Sequence, residues 1–369
     1  MQSMLFMPST PLNVLISATV ALQFPQAEKR LWLIDQKRCQ NNPYYQALLA
    51  WKDAPFVEVQ LFCAEAKGLK EKMRERRRNF AALQAGVEAA QPDIIAVGSD
   101  RRVEFQFAMH CLQQLGLNPK GIYLDDGLYS YAGRASSLYK DGLNSLLKKL
   151  AYGVWWEEPS TVGASSLIEE VWLFKPDQAV AALQEKVRVE LQSEWFKDAR
   201  LAAFSLTVAE VLEVDIQHLS ELDLLVMVPH PNNLAKMPGR AEQIQAYVKA
   251  QRALGKRIGV KYHPRTASED SLHLLDAGAE TLLPAQLAFE FALPVLKAGC
   301  AVVADVGTVL LTTKWLRPDL LSVAILDEQD GFQQRFASLF RAMGIPVVNG
   351  YDAMAGLLGQ KCESAQEAM

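Results

Sequence analysis

Arg257-Ile258-Gly259-Val260-Lys261-Tyr262-His263-Pro264-Arg265 is an apolar run that ends in a cationic His-Pro loop. A polar, helix-like stretch from about Arg240 to Leu254 leads into it. A strand that follows a helix and hands its last residues to a loop belongs to an α/β layer. In open parallel sheets, ligands bind outside the carboxyl ends of such strands. Tyr123-Leu124-Asp125-Asp126-Gly127 has the equivalent place in the first half of the chain. A carboxylate pair at one strand end and a histidine at another, in separate halves, predict a catalytic cleft between two domains.

The pattern around these two stretches supports that division. Before Asp125, strand-like runs at Met4–Met7, Arg30–Asp35, Phe56–Phe62, Asp93–Gly98 and Gly121–Leu124 alternate with helical spacing over Leu12–Phe24, Pro43–Trp51, Lys67–Ala90 and Val103–Leu115. The rhythm resumes with strands at Leu224–Val228, Arg257–His263, Thr281–Pro284, Ala301–Asp305, Ser322–Leu326 and Pro346–Val348. Helices are predicted over Arg240–Leu254, over Gln286–Lys297 either straight or kinked at Pro294, from Gly307-Thr308 onward, and up to Met343. Such alternation means βαβ units and parallel sheets covered on both faces. The expected fold is therefore α/β of GT-B type, with Rossmann-like domains over 1–220 and 221–369. The middle is less regular: a helix from Leu138 to Trp156, a strand at Glu169–Phe174, a helix from Ala179 to Phe196, and the interdomain connection between Trp195 and Glu221.

At 369 residues, the chain suits two domains of ordinary size. A net charge of −4 gives no bulk attraction to nucleic acid. One dense basic run, Lys67 to Arg78, reads as a solvated helix face or a polyanion patch. Five cysteines, Cys39, Cys63, Cys111, Cys300 and Cys362, have no ligand-like spacing. They argue against a disulfide framework and against zinc, with Cys63, Cys111 and Cys300 read as core residues. The start of the chain shows no secretory signal pattern, and no apolar stretch is long enough to span a bilayer, so a cytoplasmic protein is expected. Leu143, Leu146, Leu147, Leu150, Ala151 and Val154 share a helix face, beside Lys148-Lys149 and Trp155-Trp156. That face either packs internally or rests peripherally on the inner face of an anionic membrane. Oligomeric state is not legible.

Asp125 and Asp126 stand side by side at a strand end, so their side chains point to opposite faces. One of them reaching the working edge can act as a general base on a hydroxyl. Magnesium ligation and a plain turn or cap role are the alternatives. His263, held between a strand and Pro264, can donate a proton or hydrogen bond to a phosphate, with Lys261 or Arg265 adding positive charge. His230 repeats the His-Pro arrangement one strand earlier. Gly307-Thr308 opens a helix whose free amides suit an anion. Glu290 either takes a ribose hydroxyl or lies on the surface. His110 and His218 read as core residues, His273 as surface.

Taken together, these motifs resemble the bacterial sialyltransferases of GT-B fold, especially the lipooligosaccharide sialyltransferase and capsular polysialyltransferase group. Asp125-Asp126-Gly127 corresponds to the group's acidic-acidic-glycine motif, His263-Pro264 to its His-Pro motif, and the region of Thr308 to its serine/threonine motif. Ser9-Thr10-Pro11-Leu12 is similar to its Thr-Pro-Leu start, which places Ser9 and Thr10 on the acceptor side. The resemblance implies inverting transfer of a sialic-acid-type sugar from a CMP-activated donor to a glycan or glycolipid hydroxyl, with no metal and no further cofactor. It implies an acidic base, His263 on the departing phosphate and Thr308 binding that phosphate. The third motif departs from the group's adjacent serines, reading Gly307-Thr308-Val309, which leaves other nine-carbon acidic sugars open as donors. Other readings of the same pattern are a GT-B transferase of UDP-sugars or CDP-glycerol, and a non-catalytic nucleotide-binding protein.

Overall fold

The structure, a computed structural model, describes residues 1–133, 145, 147–266, 268–351 and 353–354. The first part of the predicted 138–156 helix, including Leu143 and Leu146, lies outside the described residues, as do Cys362 and the polar tail from 359 to 369. The chain divides into two units between Val211 and Leu212. Each is an α/β domain on an all-parallel sheet, as the βαβ rhythm predicts.

The first unit has seven strands: β1 (Ser3–Met7), β2 (Glu28–Gln36), β3 (Glu58–Cys63), β4 (Ile94–Val97), β5 (Lys120–Leu124), β6 (Glu170–Leu173) and β7 (Val187–Glu190). Their order is β3-β2-β1-β4-β5-β6-β7. Connections run outward in both directions from β1 and β4, so the switch point lies between those two strands. Register pairs Met7 with Val97 and Val97 with Tyr123. The carboxyl ends of β1, β4 and β5 therefore finish level. Helix α1 (Pro11–Leu22) follows β1 and is apolar nearly all round, and all its residues after Pro11 are buried. Helix α2 (Leu69–Ala90) buries only Leu83 and Val87 fully and leaves most of its length exposed. Helix α3 (Val103–Gln114) packs against it through Phe80 and Phe107, whose rings stack at 4.1 Å.

In the second unit the strands are β8 (Leu224–Met227), β9 (Ile258–Lys261), β10 (Thr281–Leu283), β11 (Ala301–Ala304), β12 (Leu321–Ile325) and β13 (Val347–Val348). The order β10-β9-β8-β11-β12-β13 puts the switch point between β8 and β11. Register pairs Met227 with Lys261 and Val226 with Val303, so the loops after β8, β9 and β11 leave the sheet side by side. Helices α4 (Arg240–Ala253) and α5 (Thr308–Leu316) flank this sheet.

Three sequence expectations fail. The helix predicted over Ala179–Phe196 is a four-residue helical turn followed by β7, because Val187-Arg188-Val189-Glu190 alternates and pairs with β6 at the sheet edge. The helix over Gln286–Lys297 is two 3-10 turns, Phe289–Phe291 and Leu293–Val295, with Pro294 unable to donate the bond a longer helix needs. Cys39 and Cys63 form a disulfide, so Cys63 is not a free core thiol. The cause is sheet pairing: β2 and β3 run in register up to Gln36 beside Cys63, and Cys39 leaves β2 just past that point. Cys111 and Cys300 are free and buried, as expected.

Candidate functional site

In the first unit, the two neighbouring aspartates have opposite fates. Asp125 is wholly buried and its carboxylate is saturated. It accepts from Gly127 N at 2.9 Å, Ser130 Oγ at 2.7 Å, Phe174 N at 3.2 Å and the Tyr131 hydroxyl. Those donors tie the Asp-Asp-Gly turn to the following helical turn and to the end of β6. A chain of hydroxyls extends the tie. Asp126 N donates to Tyr123 Oη at 3.1 Å, and Tyr123 Oη lies 2.9 Å from Ser130 Oγ, which donates to Asp125. Asp125 thus fixes the backbone on which Asp126 is presented.

Asp126 keeps its carboxylate at the sheet edge, half-buried, with Asn13 Nδ2 donating to it at 2.9 Å. Burial pushes its carboxyl up to about 7, against the opposing pull of Asn13 and Arg102. That is the range in which a carboxylate works as a general base near neutrality. Asn13 is wholly buried on α1. It fits because residue 98, at the end of β4, is glycine: a Cβ there would come within 2.2 Å of the Asn13 side chain. Thr10 caps α1, its hydroxyl accepting from Asn13 N at 3.2 Å. Ser9 Oγ lies 3.4 Å from Asn13 Oδ1, and the Ser9 carbonyl accepts from Gln36 Nε2 at 3.2 Å. Ser9, Thr10, Asn13, Gly98 and Asp126 are thus one constellation at the first switch point. Asn13 was missed because a lone asparagine in an apolar helix carries no local signal.

In the second unit the His-Pro loops after β8 and β9 come together. The rings of His230 and His263 lie 4.5 Å apart between centroids. Each ring is held in the same way. His230 Nδ1 accepts from Asn232 N at 3.0 Å, and His263 Nδ1 accepts from Arg265 N at 3.2 Å. A backbone N–H can only donate, so in each neutral ring Nδ1 is bare and Nε2 carries the proton. Burial lowers the His263 pKa, and the neighbouring His230, Arg265 and Lys261 lower it further. The two rings therefore share one arrangement, with His263 held toward its neutral, Nε2–H form.

Lys261 is buried and donates to the Pro284 carbonyl at 2.8 Å. Burial lowers its ammonium to about 8, opposed by Glu290. Glu290 is half-buried in a 3-10 turn rather than on a surface helix, and burial raises its carboxyl while Lys261 draws it back. Lys261 therefore anchors the 284–290 segment from below, while Pro264 and Arg265 stand exposed on the loop. After β11, Gly307 occupies the cap position of α5 and Thr308 is its first residue. A Cβ on Gly307 would meet nothing, so packing does not demand a glycine there. Two further groups lie near this end. Asp305 is half-buried with its carboxyl pushed up to about 7 by burial, partly countered by Arg240. Arg240 is buried, with Nη1 unpaired and its guanidinium 5.7 Å from the Tyr351 ring. The cation sits at the start of α4, where sequence alone reads a solvated residue.

Among the described residues, one cluster has the ligand types and spacing for a metal ion, Cys39, Cys63 and Glu65, and its two sulfurs are joined to each other. His110 is half-buried and stacked on Trp155 at 5.6 Å, His218 is half-buried and within 3.0 Å of Thr281 Oγ1, and His273 is exposed.

No protein-family model matches the chain, and no curated protein matches its sequence. Solved structures do match. An α/β-galactoside α-2,3-sialyltransferase from Photobacterium phosphoreum superposes with a TM-score of 0.57 at 11% identity, over 94% of this chain and 98% of its own. The UDP-GlcNAc 2-epimerase of Neisseria meningitidis superposes with a TM-score of 0.54 at 11% identity, over 99% of this chain and 92% of its own. At this identity the likeness is one of fold: the chain has the two-domain, parallel-sheet architecture of GT-B proteins.

Proposed function

We propose that the protein is an inverting, metal-independent glycosyltransferase that moves a sialic acid or related nonulosonic acid from its CMP derivative to a glycan hydroxyl. The observation that carries the reading is Asp126, a carboxylate held at the first switch point by Asn13 and raised toward neutrality. Asp126 takes the proton of the acceptor hydroxyl as that oxygen attacks the anomeric carbon. The bond from that carbon to the CMP phosphate breaks, and the phosphate leaves with the electron pair. His263 and His230 together donate Nε2–H to the departing phosphate, and the amides at the start of α5 with Thr308 hold its other oxygens. The order of the Thr-Pro-Leu, Asp-Asp-Gly, His-Pro and Gly-Thr motifs along the chain supports the CMP-nonulosonate class.

The test is CMP release from CMP-sialic acid by the full-length protein, with and without EDTA, beside His263→Asn and His230→Asn. An asparagine oxygen can still accept from the N–H two residues on, so the loop survives while the Nε2 donor is lost. Turnover should survive EDTA. It should fall about 10²- to 10⁴-fold in His263→Asn and about 10- to 100-fold in His230→Asn. Turnover lost in EDTA, or unchanged in both variants, would overturn the mechanism.

A further inference from the structure

The first unit exposes apolar side chains where its positive charge is concentrated. On α2, Leu69, Met73, Phe80, Leu83 and Val87 fall within an arc of about 80° at the helical advance per residue. The carboxyl half of that stripe enters the core at Leu83 and Val87. Its amino half runs out into solvent, with Leu69 77% and Met73 49% exposed. Exposed cations flank it, Arg77 and Lys70 on one side and Lys72 on the other. Across residues 67–78 seven cations stand against Glu71 and Glu75, in a chain whose net charge is −4.

A second exposed apolar face adjoins this one. Tyr152 and Trp155 pack on α2, with ring centroids 6.1 and 6.3 Å from Phe80, and the Arg76 guanidinium lies 5.8 Å from the Tyr152 ring. Lys148 lies over Trp156 and reaches Glu158. With those residues turned inward, Leu147 is 54%, Leu150 78% and Val154 91% exposed, beside an exposed Lys149.

We propose that these two segments form a peripheral membrane face that rests on an anionic bilayer. Leu69, Met73, Leu150 and Val154 enter the acyl boundary, and the flanking lysines and arginines meet the lipid headgroups. The charge decides the sign of the partner, and the apolar residues decide its kind. A soluble polyanion has no use for leucine and valine held out in water among cations, whereas a bilayer boundary takes both. The surface is independent of the donor chemistry proposed above.

The test is flotation of the full-length protein with vesicles of phosphatidylcholine alone and of equal parts phosphatidylcholine and phosphatidylglycerol. Partition onto the anionic vesicles only, weakening as salt is raised, is expected. Leu150→Ser with Val154→Ser should lower partition about tenfold or more. Lys70→Gln with Arg77→Gln should lower it about 25-fold, each cation near the surface being worth about fivefold. All four positions are exposed, so unfolding midpoints should not move. No binding to anionic vesicles, equal binding to both vesicles, or binding lost in the charge variant and intact in the apolar one would overturn the proposal. The last result would mark the patch as a site for a soluble polyanion.

Discussion

Asp126→Asn is expected to lower transfer about 10²- to 10⁴-fold while leaving the protein folded and, above neutral pH, more stable. Asparagine keeps an oxygen for Asn13 Nδ2 but cannot take the acceptor's proton. The stability effect follows from linkage. Burial raises the folded-state Asp126 carboxyl from 3.8 to about 7. Between those values the folded chain holds a proton that the unfolded chain has lost, so this group's contribution declines as pH rises through the window. Asparagine has no charge to desolvate and escapes the decline. Urea unfolding should show the variant ahead by about 2 to 4 kcal/mol at pH 8, at roughly 1.4 kcal/mol per pKa unit, and level near pH 4. The wild-type kcat/KM should rise with pH to an inflection near 7 that the variant lacks. A variant that turns over normally would remove Asp126 from the chemistry.

Asp125→Ala should act in the opposite sense, on the fold first. It takes an acceptor away from Gly127 N, Phe174 N and the hydroxyls of Ser130 and Tyr131, all gathered around a wholly buried carboxylate. Each buried donor that loses its acceptor costs about 1 to 3 kcal/mol. Much of the first unit's stability would go with it, and activity would fall because the Asp126 backbone loses its tie. Thermal unfolding at neutral pH should show a large drop in midpoint for Asp125→Ala and a rise for Asp126→Asn. Equal stabilities would show that the Asp125 network does not hold the turn.

The contrast between these neighbours also measures how far sequence reasoning reaches. Strand pattern was enough to place Asp125, Asp126, His230 and His263 at the ends of parallel strands, because alternation and loop chemistry are local. Which aspartate faces the core depends on donors from β6 and the following turn, up to 49 residues away at Phe174. The pairing of His230 with His263 follows from β8 and β9 being neighbours in register, which two separate His-Pro dipeptides do not declare. Asn13 and Arg240 stayed hidden for the same reason: a buried polar group is defined by what surrounds it. The Cys39–Cys63 bond and the edge strand β7 came from sheet pairing that spacing alone does not reveal. Over Gln286–Lys297 the apolar periodicity looked helical, yet the chain is held there by Lys261 on the Pro284 carbonyl and broken at Pro294.

Calorimetric titration of the full-length protein with CMP and with UDP shows whether the second unit holds a CMP-nonulosonate site. The expected result is saturable CMP binding, weakened about 10- to 100-fold in His263→Asn, and little or no binding of UDP. Tighter binding of UDP than CMP, indifferent to His263 and His230, would contradict it and turn the reading toward a UDP-sugar enzyme.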